Sequence, residues 1–107
     1  MNNLWQIFFA LGDPSRLAMV QRLAERGPMS MIRLSEGMAF TRQAGAKHVS
    51  VLRDAGLISL SRSGREQIVS LDRTNFRVAE LFIRQMEADW DDRLGTLKSL
   101  VEDDDKV

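Results

Sequence analysis

The sequence predicts a mainly α-helical single domain with one small β-hairpin, in the order α-α-α-α-β-β-α. Three observations carry this expectation. Apolar residues recur at helical spacing through most of the first 56 positions. The period drops to two only across residues 57–71. A helical apolar stripe then resumes and continues to about residue 101. With 107 residues, 44% of them apolar, residues 1–107 form one domain with a modest core, small enough to gain from oligomerisation. The absence of cysteine excludes disulfides and thiolate metal sites. No run approaches the roughly twenty apolar residues of a membrane span. The N-terminus lacks a signal-peptide pattern, so the expected compartment is the cytoplasm and no membrane partner is expected.

The first element is a short, strongly apolar helix over residues 3–11, with Leu4, Trp5, Phe8, Phe9 and Leu11 at helical spacing. A helix that short needs something to pack on. Gly12-Asp13-Pro14 ends it and starts the second, because Asp13 suits an N-cap and Pro14 forfeits no bond at the first helical position. Leu17, Val20, Leu23 and Ala24 form the expected inner stripe of that helix, which runs to about Arg26 before Gly27-Pro28 stops it. Ser30 caps a third, short helix carrying Ile32 and Leu34, with Met38 near its end.

After a turn at residues 37–40, Thr41 provides the next N-cap and Gly56 the left-handed stop, which places a helix over residues 41–55. Its inner half holds Ala44, Gly45, His48, Val49, Val51, Leu52 and Ala55. Its outer half holds Arg42, Gln43, Ala46, Lys47, Ser50 and Arg53. Long cationic donors suit phosphates, Arg and Gln reach base edges through paired hydrogen bonds, and small residues let a helix sit close to a groove floor. On this stretch alone a solvated amphipathic face remains an equal reading. Its neighbours decide. A short helix, a tight turn and an amphipathic second helix make a helix-turn-helix. The hairpin that follows, 57–71 with its turn at Ser63-Gly64, makes a basic-tipped wing with Arg62 and Arg65. The architecture is a winged helix-turn-helix.

Asp72 or Thr74 caps the last helix, assigned to residues 74–101, at 1.5 Å per residue roughly 40 Å long. Phe82, Met86, Trp90, Leu94, Leu97 and Val101 form a stripe longer than one small core covers, with Phe76, Ala79 and Ile83 as a second row. Such a stripe implies a partner helix from a second subunit. The expected dimer interface is therefore Trp5, Phe8, Phe9, Phe82, Met86, Trp90, Leu94 and Leu97. Residues 102–107 read as an acidic tail. Net charge is zero, yet residues 1–79 hold eleven Lys/Arg against six Asp/Glu, and residues 80–107 hold four against nine. A binding footprint depends on where charge lies rather than on its total.

Several motifs resemble the ArsR-type winged-helix repressors. Leu11-Gly12-Asp13-Pro14-Ser15-Arg16 is similar to that family's opening motif. Thr41-Arg42-Gln43-Ala44 with Lys47-His48 resembles its recognition helix, and residues 51–58 the end of that helix and the first strand. Ser63-Gly64-Arg65 resembles the wing tip, Leu71-Asp72 the entry to the last helix, and residues 90–100 the metal-independent branch. The resemblance spans residues 5–100. It implies a homodimeric repressor that binds double-stranded DNA, with Thr41, Arg42, Gln43, Ala46, Lys47, His48, Ser50, Arg62 and Arg65 as DNA-binding candidates. Metal-sensing members use Cys pairs on the third helix or His/Asp clusters on the last. Here Met31-Ile32-Arg33 and a helix without His stand instead, so no metal and no cofactor are expected, and an effector or protein partner is left open.

Gly45 and Ala46 depart from the family, which has an aliphatic residue and a Ser or Thr there. A glycine inside a helix costs about 1 kcal/mol relative to Ala, and this one also removes a core side chain. Gly45 is thus the feature that favours the alternative function, a protein-interaction module retaining the winged-helix fold without DNA binding. An enzyme is not expected, because one His without a spaced nucleophile builds no catalytic pair. Asp89, Asp91 and Asp92 read as a solvated face.

Overall fold

A computed structural model of the chain describes residues 3–105, with side chains through Glu102. The elements are α1 (Leu4–Leu11), α2 (Pro14–Arg26), β1 (Met29–Ser30), α3 (Met31–Ser35), α4 (Arg42–Asp54), β2 (Ile58–Ser63), β3 (Glu66–Leu71) and α5 (Arg73–Asp105). Four of the expected caps form, the last of them at α5, where Asp72 Oδ1 accepts from Thr74 N at 3.0 Å. The Asp13 carboxylate accepts from Arg16 N, Ser30 Oγ from Arg33 N, and Thr41 Oγ1 from Ala44 N. Each satisfies a donor that the first helical turn leaves open. Five-residue α3 cannot stand on its own hydrogen bonds. Arg22 reaches from α2 and donates through Nη1 to Leu34 O at 3.0 Å and Glu36 O at 2.6 Å, closing the carbonyl end of α3.

The strands form an antiparallel sheet in the order β1-β3-β2. The two-residue β1 pairs Met29 with Val69 and Ser30 with Ile68, and it was not expected from the sequence. The hairpin register runs from Ile58 opposite Leu71 to Ser63 opposite Glu66. The turn is therefore Gly64-Arg65, one residue later than expected, with Gly64 taking φ 63°. Both strands lose their first expected residue, Leu57 and Arg65, to the adjoining turns.

The core gathers Ile7, Met19, Leu23, Leu34, Leu52, Leu57 and Val69 between the helices and the inner face of the sheet. On α2 the inner stripe is Met19, Val20 and Leu23; Leu17 and Ala24, expected inside, are exposed. Met38 lies in the turn after α3 and packs on the core from there. At the base of α5, Ala79 is buried and Phe76 packs against the same core. Asn75 Nδ2 donates to Ala55 O at 2.9 Å, and Gly56 beside it, at φ 72°, has no room for a Cβ against the Asn75 amide.

From Glu80 to Glu102 every residue of α5 is exposed. The helix starts at Arg73 and runs to Asp105, outside the expected 74–101 at both ends. The expected tail at 102–107 is thus helical as far as Asp105, and residues 106–107 lie outside the described ones. No Gly or Pro follows Val101 to stop the helix, and Lys98 Nζ sits 4.0 Å from Glu102 across one turn. The molecule measures 75 × 27 × 23 Å, with a radius of gyration of 20.1 Å. A compact chain of this length would have about 13 Å; the difference is the projecting half of α5. Among the described residues no helix is long and apolar enough to cross a membrane.

Candidate nucleic-acid interface

The two basic elements are neighbours: α4 packs directly against β2 of the hairpin. α4 buries Gly45, Val49 and Leu52 and turns Arg42, Gln43, Ala46 and Lys47 outward. The β2–β3 hairpin exposes Arg62 near its tip and Arg65 in its turn. Some of the cations are engaged within the chain. Arg16 and Arg22 are spent on backbone carbonyls, and Arg53 pairs with Asp54 at 3.3 Å. Arg42, Gln43, Lys47, Arg62 and Arg65 make no side-chain hydrogen bond or ion pair among the described residues. Their donors are available to an outside acceptor. Thr41 is exposed, but its hydroxyl already serves Ala44 N at 3.1 Å. Ser50 is half-buried and accepts from Arg53 Nη2 at 3.4 Å. The presented face of α4 is thus its first two turns.

His48 does not belong to that face. Its side chain is 17% exposed. Nδ1 lies 3.4 Å from Arg16 Nη1 and 3.8 Å from Asp13 Oδ2, and the ring meets Phe40 edge-on at 5.3 Å. Its role is to join α4 to the start of α2. The same joint explains the Asp13-to-Arg16 motif. Arg16 Nε donates to Ala10 O at 2.7 Å and Nη2 to Phe9 O at 3.2 Å, capping α1, while its guanidinium lies 5.3 Å from the Phe9 ring centre.

The amide of Arg16 holds the Asp13 carboxyl below its ordinary value of 3.8, and the positive charge of the Arg16 guanidinium acts in the same direction. A carboxyl depressed on folding stabilises fully above its unfolded pKa, and the contribution is lost as pH falls through the folded one. Thermal melting between about pH 6 and about pH 2 should therefore show wild type losing stability below the ordinary carboxylate range more steeply than Asp13→Asn, which keeps the cap but not the charge. Parallel curves would show that Asp13 acts only as a neutral cap.

Gly45 is matched by a residue that periodicity did not single out. A Cβ at Gly45 would lie 2.8 Å from Phe40 Cε1, so the ring occupies the space the glycine leaves. α4 therefore keeps its inner packing, and the feature that favoured a protein-interaction module has a structural explanation. The available signal was indirect: a glycine on the inner face of a helix implies a filler from elsewhere.

The expected dimer residues lie on two elements. Phe8 of α1 and Phe82 of α5 are brought together, with ring centres 5.8 Å apart at 60°. Trp5 at 73% and Phe9 at 60% exposure stay on the outside of α1. Met86, Trp90, Leu94 and Leu97 stand bare along α5, with Trp90 62% exposed.

A family profile described as a helix-turn-helix domain matches residues 11–60. The chain is 39% identical over 69 residues to an uncharacterised HTH-type transcriptional regulator, YuzN, of Bacillus subtilis (strain 168), covering 59% of this chain and 75% of the relative. Among solved structures it is similar to an ArsR-like transcriptional regulator from Rhodococcus sp. RHA1, with 28% identity, a TM-score of 0.80 and 92% of each chain covered. A winged helix-turn-helix DNA-binding domain from Mycobacterium bovis, described as homodimeric, shares the fold at 23% identity, with a TM-score of 0.62 and coverage of 81% of this chain and 79% of that one.

Proposed function

The chain belongs to the ArsR-type helix-turn-helix transcriptional regulators, and from that premise we propose that it acts in the cytoplasm as a homodimeric repressor reading an inverted-repeat operator. Arg42, Gln43 and Lys47 reach base edges and flanking phosphates from α4, Ala46 lets that helix approach the groove floor, and Arg62 and Arg65 hold phosphate from the wing. Thr41 and Ser50 border the contact. The observation that supports the reading is the set of open donors on the two elements: Arg42, Gln43 and Lys47 on the first two turns of α4 and Arg62 and Arg65 on the wing are exposed and make no side-chain hydrogen bond or ion pair among the described residues, whereas Arg53 at the far end of α4 is held by Asp54.

The second subunit is a copy of the first, seated on the bare stripe of α5 and on Trp5, Phe8 and Phe9 of α1. The homodimeric description of the Mycobacterium bovis domain supports it. The reading includes no metal, since the chain has no cysteine and its single histidine is engaged by Arg16 and Phe40.

Selection of bound duplexes from a random pool tests the proposal. The expected result is enrichment of an inverted repeat whose half-sites lie about one helical turn apart, or slightly more. Binding of all sequences alike, or of none, would overturn it.

A further inference from the structure

Gly45 is buried in the first turns of α4, and its backbone stays out of the left-handed region, so conformation gives no reason for a glycine. The reason is steric. Beyond the 2.8 Å approach of Phe40 Cε1, Cδ1 of the same ring would lie 3.3 Å from a Cβ and Ser35 Oγ 3.6 Å. Carbon atoms at optimal separation sit about 3.5–4.0 Å apart. The ring also meets His48 at 5.3 Å and 69°, and His48 is tied to Arg16. Phe40 is rooted in the turn between α3 and α4, not in α4 itself. A side chain rooted at position 45 would travel with its helix. A ring rooted in the turn and seated on the helix backbone instead fixes the helix relative to the turn.

We infer that Phe40, seated on Gly45 and edge-on to His48, is a positioning residue for base recognition: it sets the angle at which the first turns of α4 leave the turn, and with it the aim of Arg42, Gln43 and Lys47. The inference rests on α4 being the DNA-reading helix. The ring is half-buried, so it has room to swing aside when a Cβ is added. Gly45→Ala is therefore expected to leave the fold intact while releasing the wedge.

A double-mutant cycle on the full-length protein tests this, with affinity measured on the pool-selected duplex and on its scrambled counterpart. Gly45→Ala should lower the ratio of the two affinities about tenfold, and in a Phe40→Ala background less than about twofold, because the contact that couples the sites is gone. The melting midpoint of Gly45→Ala should stay within about 3 °C of wild type, which a loss of fold would not allow. Phe40→Leu, which keeps apolar bulk on the glycine, should retain most of the discrimination and stay sensitive to Gly45→Ala. Equal losses from Gly45→Ala in the presence and absence of the Phe40 ring, or no loss in either, would overturn the inference. A wild-type protein that prefers no duplex would overturn the DNA-reading assignment and this inference with it, and that result is visible before any variant is made.

Discussion

Trp90→Asp should convert the dimer into a monomer at micromolar concentration and weaken operator binding by roughly a thousandfold, with the winged-helix body still folded. Trp90 is 62% exposed and sits on one stripe with Phe82, Met86, Leu94 and Leu97. An aromatic anchor at the centre of an interface is worth about 2 kcal/mol or more, and two-fold symmetry counts the loss twice. At about 1.4 kcal/mol per decade, the resulting 4 kcal/mol is roughly a thousandfold in dissociation constant. An unpaired carboxylate in the interface adds to that cost. The body survives because α5 is exposed from Glu80 to Glu102, where among the described residues Phe82 against Phe8 is the ring contact with the body. Sedimentation of wild type and variant at a few micromolar decides the matter. A wild-type monomer, or a variant that remains dimeric, would remove the self-association reading.

The second large effect separates reading from holding. Gln43→Ala should cost roughly 1–3 kcal/mol at one base pair of each half-site and leave the affinity for scrambled DNA unchanged. Gln43 faces outward on the first turn of α4 with its amide unpaired among the described residues. Arg65→Ala should weaken binding to every sequence alike. It should also reduce the slope of log affinity against log salt by about one unit per subunit if the guanidinium neutralises one phosphate. Arg65 occupies the hairpin turn itself, the position farthest along the wing from the core. Salt titrations of both variants on selected and scrambled duplexes give the answer. A uniform loss from Gln43→Ala with altered base preference from Arg65→Ala would reverse the two roles.

What could be read from the sequence was decided locally. Asp13, Ser30 and Thr41 serve amides three residues ahead, so the starts of α2, α3 and α4 follow from their immediate neighbourhoods. β1 does not, because two residues carry no period and their partners, Ile68 and Val69, lie about forty positions away. On α2 the stripe read from the sequence began at Leu17, but the helix is turned so that Met19 is buried and Leu17 exposed, an orientation that tertiary packing and not local periodicity selects. The end of α5 was placed too early because the apolar stripe ends at Val101 and the acids beyond it carry no periodicity, whereas continued backbone bonding carries the helix to Asp105. Among the candidate site residues, Arg42, Gln43, Ala46 and Lys47 face outward as the helical wheel required. His48 sat on its boundary, and only the tertiary contacts with Arg16 and Phe40 placed it inside.

The bond from Asn75 to Ala55, over a Gly56 that leaves no room for a Cβ, has a mechanical consequence. It ties the last turn of α4 to the first turn of α5, which would leave no slack joint between the proposed reading helix and the proposed dimer arm. From Asn75 to Trp90 is a rigid lever of about 22 Å. A change of about 5° in the crossing of two such levers displaces each reading helix by about 2 Å, against a rise of 3.4 Å per base pair. In the dimer proposed above, the distance between the two half-sites would be set along α5, by side chains that stand away from the reading helix. Substitutions there would retune operator spacing and leave the bases read within each half-site as they were.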